Sequence, residues 1–523
     1  MANIDGIVGY NSPSGTNKLL AAFGNDVVDV LTGLGYGLNL TAGNKAQFET
    51  FIDSVFFCNG VDKMRSFVGG AWSDSFSLPK QIIPKYIRKS VNNSQLLIGN
   101  CSLTPGSGSA LSYKSYVFRS DLPKLGKSLS GTAIAQSIQW GIESGRCNLK
   151  QNTRQLKAVL DGNGRLPYFK TRGIQVGDPV FILGGDIGQY TVASVDSEYE
   201  LTLNESFPSA DSVNSNLDFW VGNNFFQVGT DDNDQIMGFG ENNSRDLIFK
   251  LFSLWYYTGS QLKQVKGAPG TSSQRSVIND SKGNTYYFHG SDIGKTGIYR
   301  YDGVGVVKAS RAIDPFIQGM NASNYTGVVA WEEGDELRFF IGDLTNNNDD
   351  ISMTNAVATL NTVTGAWDVS PIADVLTCAT TYVVSNVKNS YTGTSDSQVL
   401  KMNTGFNHNG SPIPAVVETT VKYPSGSEIM NDFTAVQAIS KNATGLRLSY
   451  KFWNKPKDVD DRWWPLGDIT EDKTEFEAGQ LNNMLGRQAC GIQFRVEEDG
   501  SLENNWLVEK ITVFYKPDRA RLV

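Results

Sequence analysis

Only two imidazoles occur in 523 residues, His289 and His408, so little chemistry can be built on histidine. A multi-histidine metal centre or an HExxH motif cannot be assembled from two, and a histidine-based triad would have to rest on one of them. His289 follows an alternating strand in TYYFHGSDIG, and His408 lies in the polar stretch NHNGS. Both settings read as turns. Paired carboxylates are the other route to catalysis, one group giving a proton while the second attacks or activates water. The candidates are Glu332, Glu333, Asp335, Asp343 and Asp302. Their siting, as in Glu333-Gly334-Asp335 between two strands, is what turn chemistry alone predicts. No Ser-x-Asp-x-Gly-x-x-Trp box accompanies them.

Cation and phosphate sites are weaker still. Asp231, Asp232, Asn233 and Asp234 look like the start of a calcium loop, but there is no Gly at the sixth position and no Glu at the twelfth. The runs Gly33 to Gly37 and Gly303 to Gly305 lack both the Walker lysine and the acidic partner of a dinucleotide fingerprint. The sequence therefore predicts a non-enzyme with no catalytic, cofactor-binding or metal-binding residue. Trp72, Trp255, Trp331 and Trp367 recur near corresponding places in a repeat, and Trp453, Trp463 and Trp464 cluster further on. Such rings build sugar-stacking platforms, and they also fill sheet cores and subunit interfaces, the commoner use.

The elements that must position these residues are strands. VVAWEEGDELRFFIGDL, a polar loop and NAVATLNTVTGAWDV fill Val328 to Val369, and looser copies occur at Phe56 to Trp72, Asp246 to Gly259 and Asn284 to Ser310. Alternation with Gly, Asn and Asp turns at this spacing encodes antiparallel meanders, and meanders in series encode the blades of a β-propeller. The fold class is all-β: a propeller body with an inserted small β-barrel and a C-terminal β-sandwich-like region. Residues 1–48 form an N-terminal segment in which Leu19, Leu20, Phe23, Val27, Val28 and Leu31 predict a helix from Asn17 to Gly35. Residues 49–151 and 220–413 carry the propeller. Residues 152–219, with turns at Val176-Gly177-Asp178, Gly184-Gly185-Asp186 and Asp196-Ser197, read as the barrel, and 414–523 as the region that closes the propeller.

The balance of 46 Lys+Arg against 54 Asp+Glu, a net charge of −8, argues against gripping nucleic acid through its phosphates. No apolar run approaches the roughly 20 residues of a membrane span, and MANIDGIVGYNSPSG has no signal-peptide pattern, so a soluble protein made in a cytoplasm is expected. Cys58, Cys101, Cys147, Cys378 and Cys490 are odd in number and scattered, which predicts free thiols.

FFCNGVDKMRSFVGGAW, SYKSYVFRSDLPK, DDNDQIMGFGENNSRDLIFKLFSLWYY, GIYRYDG and the final FYKPDRARLV together resemble the tail nozzle or hub proteins of short-tailed bacteriophages, also called tail tubular protein B or packaged-DNA stabilisation proteins. The resemblance implies a structural virion protein made in the host bacterial cytoplasm. It would form a homo-oligomeric ring, a hexamer, that docks on the portal and adaptor and on tail fibres or spikes, without stable membrane insertion. DNA would pass through its lumen without tight binding, any phosphate contact falling to scattered lysines or to the tip Lys516, Arg519 and Arg521. The alternative is a carbohydrate-binding or glycan-cleaving propeller acting as a receptor-binding protein.

Overall fold

The structure is a computed structural model that describes residues 2–11, 17–51, 53–68, 70–73, 82–91, 95–103, 111–120, 124–127, 133–137, 143–160, 166–182, 185–186, 188–222, 225–229, 232, 234–290, 295–346, 351–384, 387–402, 407–408, 411–412, 415–427, 429–441, 445–453, 463–469, 473–477, 488–498 and 507–522. Among these residues, regular structure is almost entirely strand, and the chain divides into a unit at Met1–Met402 and a second at Asn403–Val523.

The first unit is a ring of seven antiparallel sheets, each starting with its innermost strand. The inner strands of blades 1 to 7 are Ile4–Asn11, Gln47–Phe51, Ile82–Lys89, Ile236–Asn242, Ile278–Asn279, Val329–Glu333 and Leu376–Val384. Each packs on the next, and the seventh packs on the first. Blades 4 and 5 are four-stranded meanders ending at Leu262–Gln264 and Val306–Lys308, and blade 6 ends at Trp367–Pro371. Blade 3 runs through Leu96–Leu103 and Leu111–Arg119, and takes its outer strand, Phe225–Gln227, only after the barrel.

The predicted helix is corrected. Asn17–Phe23 and Asp26–Asp29 are strands of blade 1, paired Leu20 to Asp29 and Ala21 to Val28. Gly24 makes the turn at φ +57, a conformation that glycine adopts without a Cβ clash. Leu19 and Leu20 are both fully buried, because a propeller blade has neighbours on both faces. Such a strand presents a continuous apolar run that spacing alone cannot tell from a helix.

The barrel is closed and six-stranded, in the spatial order Glu143–Leu149, Gln155–Val159, Glu200–Leu203, Gly188–Val195, Pro179–Ile182, Leu217–Val221. Its interior holds Leu156, Val180, Val192, Leu201, Phe207 and Phe219. Phe181 and Trp220 point outward, against Phe118 and Phe225 of blade 3. The barrel is thus fused to the blade that interrupts it.

Blade 1 closes the ring against blade 7. Thr377 Oγ1 donates to the carbonyl of Ile4 (2.5 Å), Asn11 Nδ2 to that of Val383 (2.9 Å) and Ser397 Oγ to that of Ala2 (2.7 Å). A Cβ on Gly9 would lie 2.1 Å from the Tyr382 ring, so the seam depends on a glycine. Other seams use side chains in the same way. Arg119 reaches Tyr257 OH and the Gly259 carbonyl on blade 4, and Arg245 of blade 4 repeats this on Tyr301 OH and the Gly303 carbonyl of blade 5.

In the second unit, one sheet takes the order Ala415–Glu418, Gly491–Glu498, Leu446–Trp453, Trp464–Ile469, and the long strand Ile429–Lys441 centres another with Lys473–Glu477, Gln488–Ala489 and Leu507–Leu522. Phe433, Val436, Leu448, Phe452, Ile492 and Phe494 fill the space between them as a sandwich core, with Phe433 stacked on Phe452 at 5.3 Å.

Candidate functional site

The side chains that converge from most blades do so at the ring axis. Where the inner strands begin, a leading mouth is crossed by two basic residues. Arg275 precedes blade 5, and its guanidinium donates to the carbonyls of Thr377 on blade 7, Asp5 on blade 1 and Ala46 just before blade 2. Lys45 precedes blade 2, and its Nζ donates to the Thr326 carbonyl just before blade 6. Each link therefore reaches past its neighbouring blades to the opposite side. A ring topology brings such distant links together because every blade contributes its leading end to one circle.

Lys85 of blade 3 packs its stem against Gly60 of blade 2, near enough for its charge to act on Lys45. Burial, then the like charges of Arg275 and Lys85, push the Lys45 ammonium down to about 8. Lys45 reaches solvent, but the walls around it displace much of its hydration. Lys85 is lowered in the same way, by burial and then by Lys114. Burial also lowers Arg275, against the pull of Cys378, Asp5 and Tyr86. The carboxylate facing this cluster is Asp5, itself raised by burial despite Arg275 and the Gly43 amide. Several cations held close with one reluctant carboxylate form an anion-attracting mouth.

The trailing mouth is mixed in sign. Arg88 Nη2 pairs with Glu241 Oε2 at 2.8 Å, and Asn279 Nδ2 donates to Glu241 Oε1 at 3.3 Å. Burial raises Glu49 even though Arg88 and the Lys89 amide favour its anion. Asp246 is raised by burial as well, and accepts from Ser90 Oγ (2.6 Å) and the Val91 amide (2.8 Å).

The residues singled out in the sequence are not brought together. Glu332 pairs with Lys388 (2.6 Å) and Glu333 with Arg338 (2.7 Å). Asp302 accepts the Val304 and Gly305 amides of its own turn, which hold it below the usual carboxylate range. Asp343 accepts the Asn355 amide, and the Asp335 carbonyl accepts from Thr362. His289 is buried on blade 5, edge-on to Tyr299. The side chain of His408 lies outside the described residues, as do Asp231, Asn233 and the side chains of Arg519 and Arg521. Asp232 receives the fully buried Lys250 ammonium at 2.5 Å, so a lysine supplies the cation there. Asp234 accepts the Leu251 and Phe252 amides. Among the described residues no group of three His, Cys, Asp or Glu could hold a metal, no helix is long and apolar enough to cross a membrane, and all five cysteines are buried and free.

The tryptophans do not occupy equivalent places. Trp331 is on an inner strand and buried, Trp255 is on a third strand, and Trp72 and Trp367 are on outer strands. All four pack within the blades. Trp464 packs on the sandwich core, whereas Trp453 and Trp463 flank the Lys451 ammonium at 5.3 and 5.9 Å. The residues that do converge, Lys45, Lys85, Arg275, Glu49, Arg88 and Glu241, were not singled out, since each stands alone in its own stretch of sequence.

No protein-family model matches the chain, and no curated protein does. Solved structures that match include puromycin hydrolase and a mutant of it complexed with PGG, each 11% identical with a TM-score of 0.26, over 74% of this chain. The chain spans 56% of the length of each. So distant a likeness carries no argument about activity. The tail-nozzle expectation is corrected: the matching structures named here are hydrolases, not tail proteins, and no family model supports a tail role. The sixfold tail ring, its receptor-binding alternative and the exclusion of enzymatic activity are corrected accordingly.

Proposed function

We propose that this chain is an anion-binding β-propeller whose ligand is held at the leading mouth by Lys45 and Lys85, in a site that Arg275 shapes. The observation that carries the reading is the meeting of these three cations, drawn from the starts of blades 2, 3 and 5, at one place on the axis. Gathering like charges costs stability unless something offsets it. Asp5 offsets one charge, and a bound oxyanion would offset the rest. Arg275 already spends its donors on backbone carbonyls, so it shapes the mouth while the two lysines provide mobile contacts.

The test is thermal unfolding of the full chain in phosphate and in chloride at matched ionic strength and pH 7. Phosphate should raise the transition of the native chain, and Lys45→Gln or Lys85→Gln should remove most of that rise. Equal transitions in the two salts for the native chain would overturn the reading.

A further inference from the structure

We propose that the ligand of the leading mouth is an oligophosphate chain, laid from Lys45 at the axis outward past Lys85 to Lys114 on blade 3. This rests on the reading of the mouth as an anion site and extends it to the class of ligand. Lys85 lies on the inner strand of blade 3 and Lys114 on its third strand, with Leu96–Leu103 between them. Pro84 is paired with Cys101, and Cys101 with Tyr113, so Lys85 follows one end of a transverse row and Lys114 the other, Lys114 standing where the ladder slips register between Gly99 and Cys101. Two strand spacings separate Pro84 from Tyr113 by roughly 9.5 Å.

The strand between theirs, Leu96–Leu103, carries no charged residue. The intervening strand carries Asn100, at φ +52, whose amide is turned away to donate to the Ile236 carbonyl of blade 4. Lys85 is held toward blade 2 by the close approach of its Cγ to Gly60. Lys114 is exposed, and among the described residues neither it nor Lys85 has an ion-pair partner. Lys85 thus lies between Lys45, whose ammonium it acts on, and Lys114 on the third strand of its own blade. A single phosphate would serve the inner end and leave Lys85 and Lys114 opposing each other. A chain with charge repeated at short intervals meets all three, and lysine, a compact rotatable donor, suits successive phosphates.

Isothermal titration of the full chain with orthophosphate, pyrophosphate and tripolyphosphate at fixed ionic strength tests this. Affinity should rise about tenfold for each added phosphate that gains a lysine, the gain of one charge-assisted contact. Lys114→Gln should lose about that factor for tripolyphosphate and leave orthophosphate unchanged, and Lys114→Arg should retain the native affinities. Equal native affinities for the three anions, or tripolyphosphate binding untouched by Lys114→Gln, would overturn the proposal while leaving the mouth as a simple anion site. Orthophosphate binding undiminished by Lys45→Gln would instead overturn the mouth reading itself. A free oligophosphate and the phosphate tail of a nucleotide share this chemistry. Competition between ATP and tripolyphosphate would assign the tail of a nucleotide as a source, and its absence the free chain.

Discussion

Lys45 offers the sharpest test of the electrostatics at the mouth. Its ammonium is drawn from an ordinary 10.5 to about 8 in the folded chain. At about 1.36 kcal/mol per pH unit, the whole displacement corresponds to at most about 3.4 kcal/mol. Because Lys45 is exposed, solvent screening reduces the contribution to about 1 kcal/mol. The folded value lies below the unfolded one, so between pH 8 and 10.5 the unfolded chain keeps a proton that the folded chain has released. Native stability therefore suffers the full penalty below pH 8 and recovers it as pH rises through that window. Lys45→Met removes the charge and also the bond to Thr326, a nearly constant loss of about 1 kcal/mol. Urea unfolding of both chains from pH 7 to 10.5 should show the two nearly equal at pH 7 and the mutant falling behind native by about 1 kcal/mol across the window. Amine labelling read by mass spectrometry should place the midpoint of Lys45 reactivity at about 8 in the folded chain. A stability difference that is flat with pH, together with a labelling midpoint near 10.5, would refute the burial of Lys45 and the crowding of charges around it on which the anion site depends.

The ring and its barrel carry three other expected outcomes. Arg275→Met should destabilise the propeller unit by about 3 kcal/mol, because carbonyls on blades 7, 1 and 2 lose a charged donor, and Arg275→Lys should recover part of that loss in urea unfolding. Gly9→Ala should cost about 1–3 kcal/mol through its clash with the buried Tyr382, and Gly9→Ala combined with Tyr382→Leu should cost less than the sum of the two. Asp186 is held below the usual carboxylate range by Ser209 and Asn214, which outweigh its burial. Asp186→Ala should therefore lose about 1–2 kcal/mol at neutral pH, and the difference from native should vanish in urea titrations as pH falls below the ordinary aspartate value.

The blades were legible because a meander is a local object. GIYRYDGVGVVK and VAWEEGDELRFF each contain two pairing strands and the turn between them, and they fold as written in blades 5 and 6. The first blade was misread because its strands are buried on both sides, which erases the alternation that marks a half-exposed strand. The barrel was read from its turn spacing, but its first strand, Glu143–Leu149, lies upstream of the segment chosen, since that strand pairs with the last one, Leu217–Val221. Closure of that kind leaves no local mark. The mouth was illegible for a related reason: Lys45, Lys85 and Arg275 are isolated basic residues in sequence, and only the return of blade 7 to blade 1 makes neighbours of the starts of distant blades.

The seam between blades 1 and 7 has a mechanical implication. All of blade 1 comes from residues 4–35, so no strand of blade 7 is shared with it, and the ring is a split washer rather than a welded hoop. Prising it open would break side-chain bonds such as Thr377 to Ile4 and Asn11 to Val383, and would leave every sheet ladder intact. Under load, or as the two ends fluctuate, the ring can part at this one place without unfolding a blade, and each such opening would release the Asp5 and Thr377 carbonyls from the Arg275 pin that spans them.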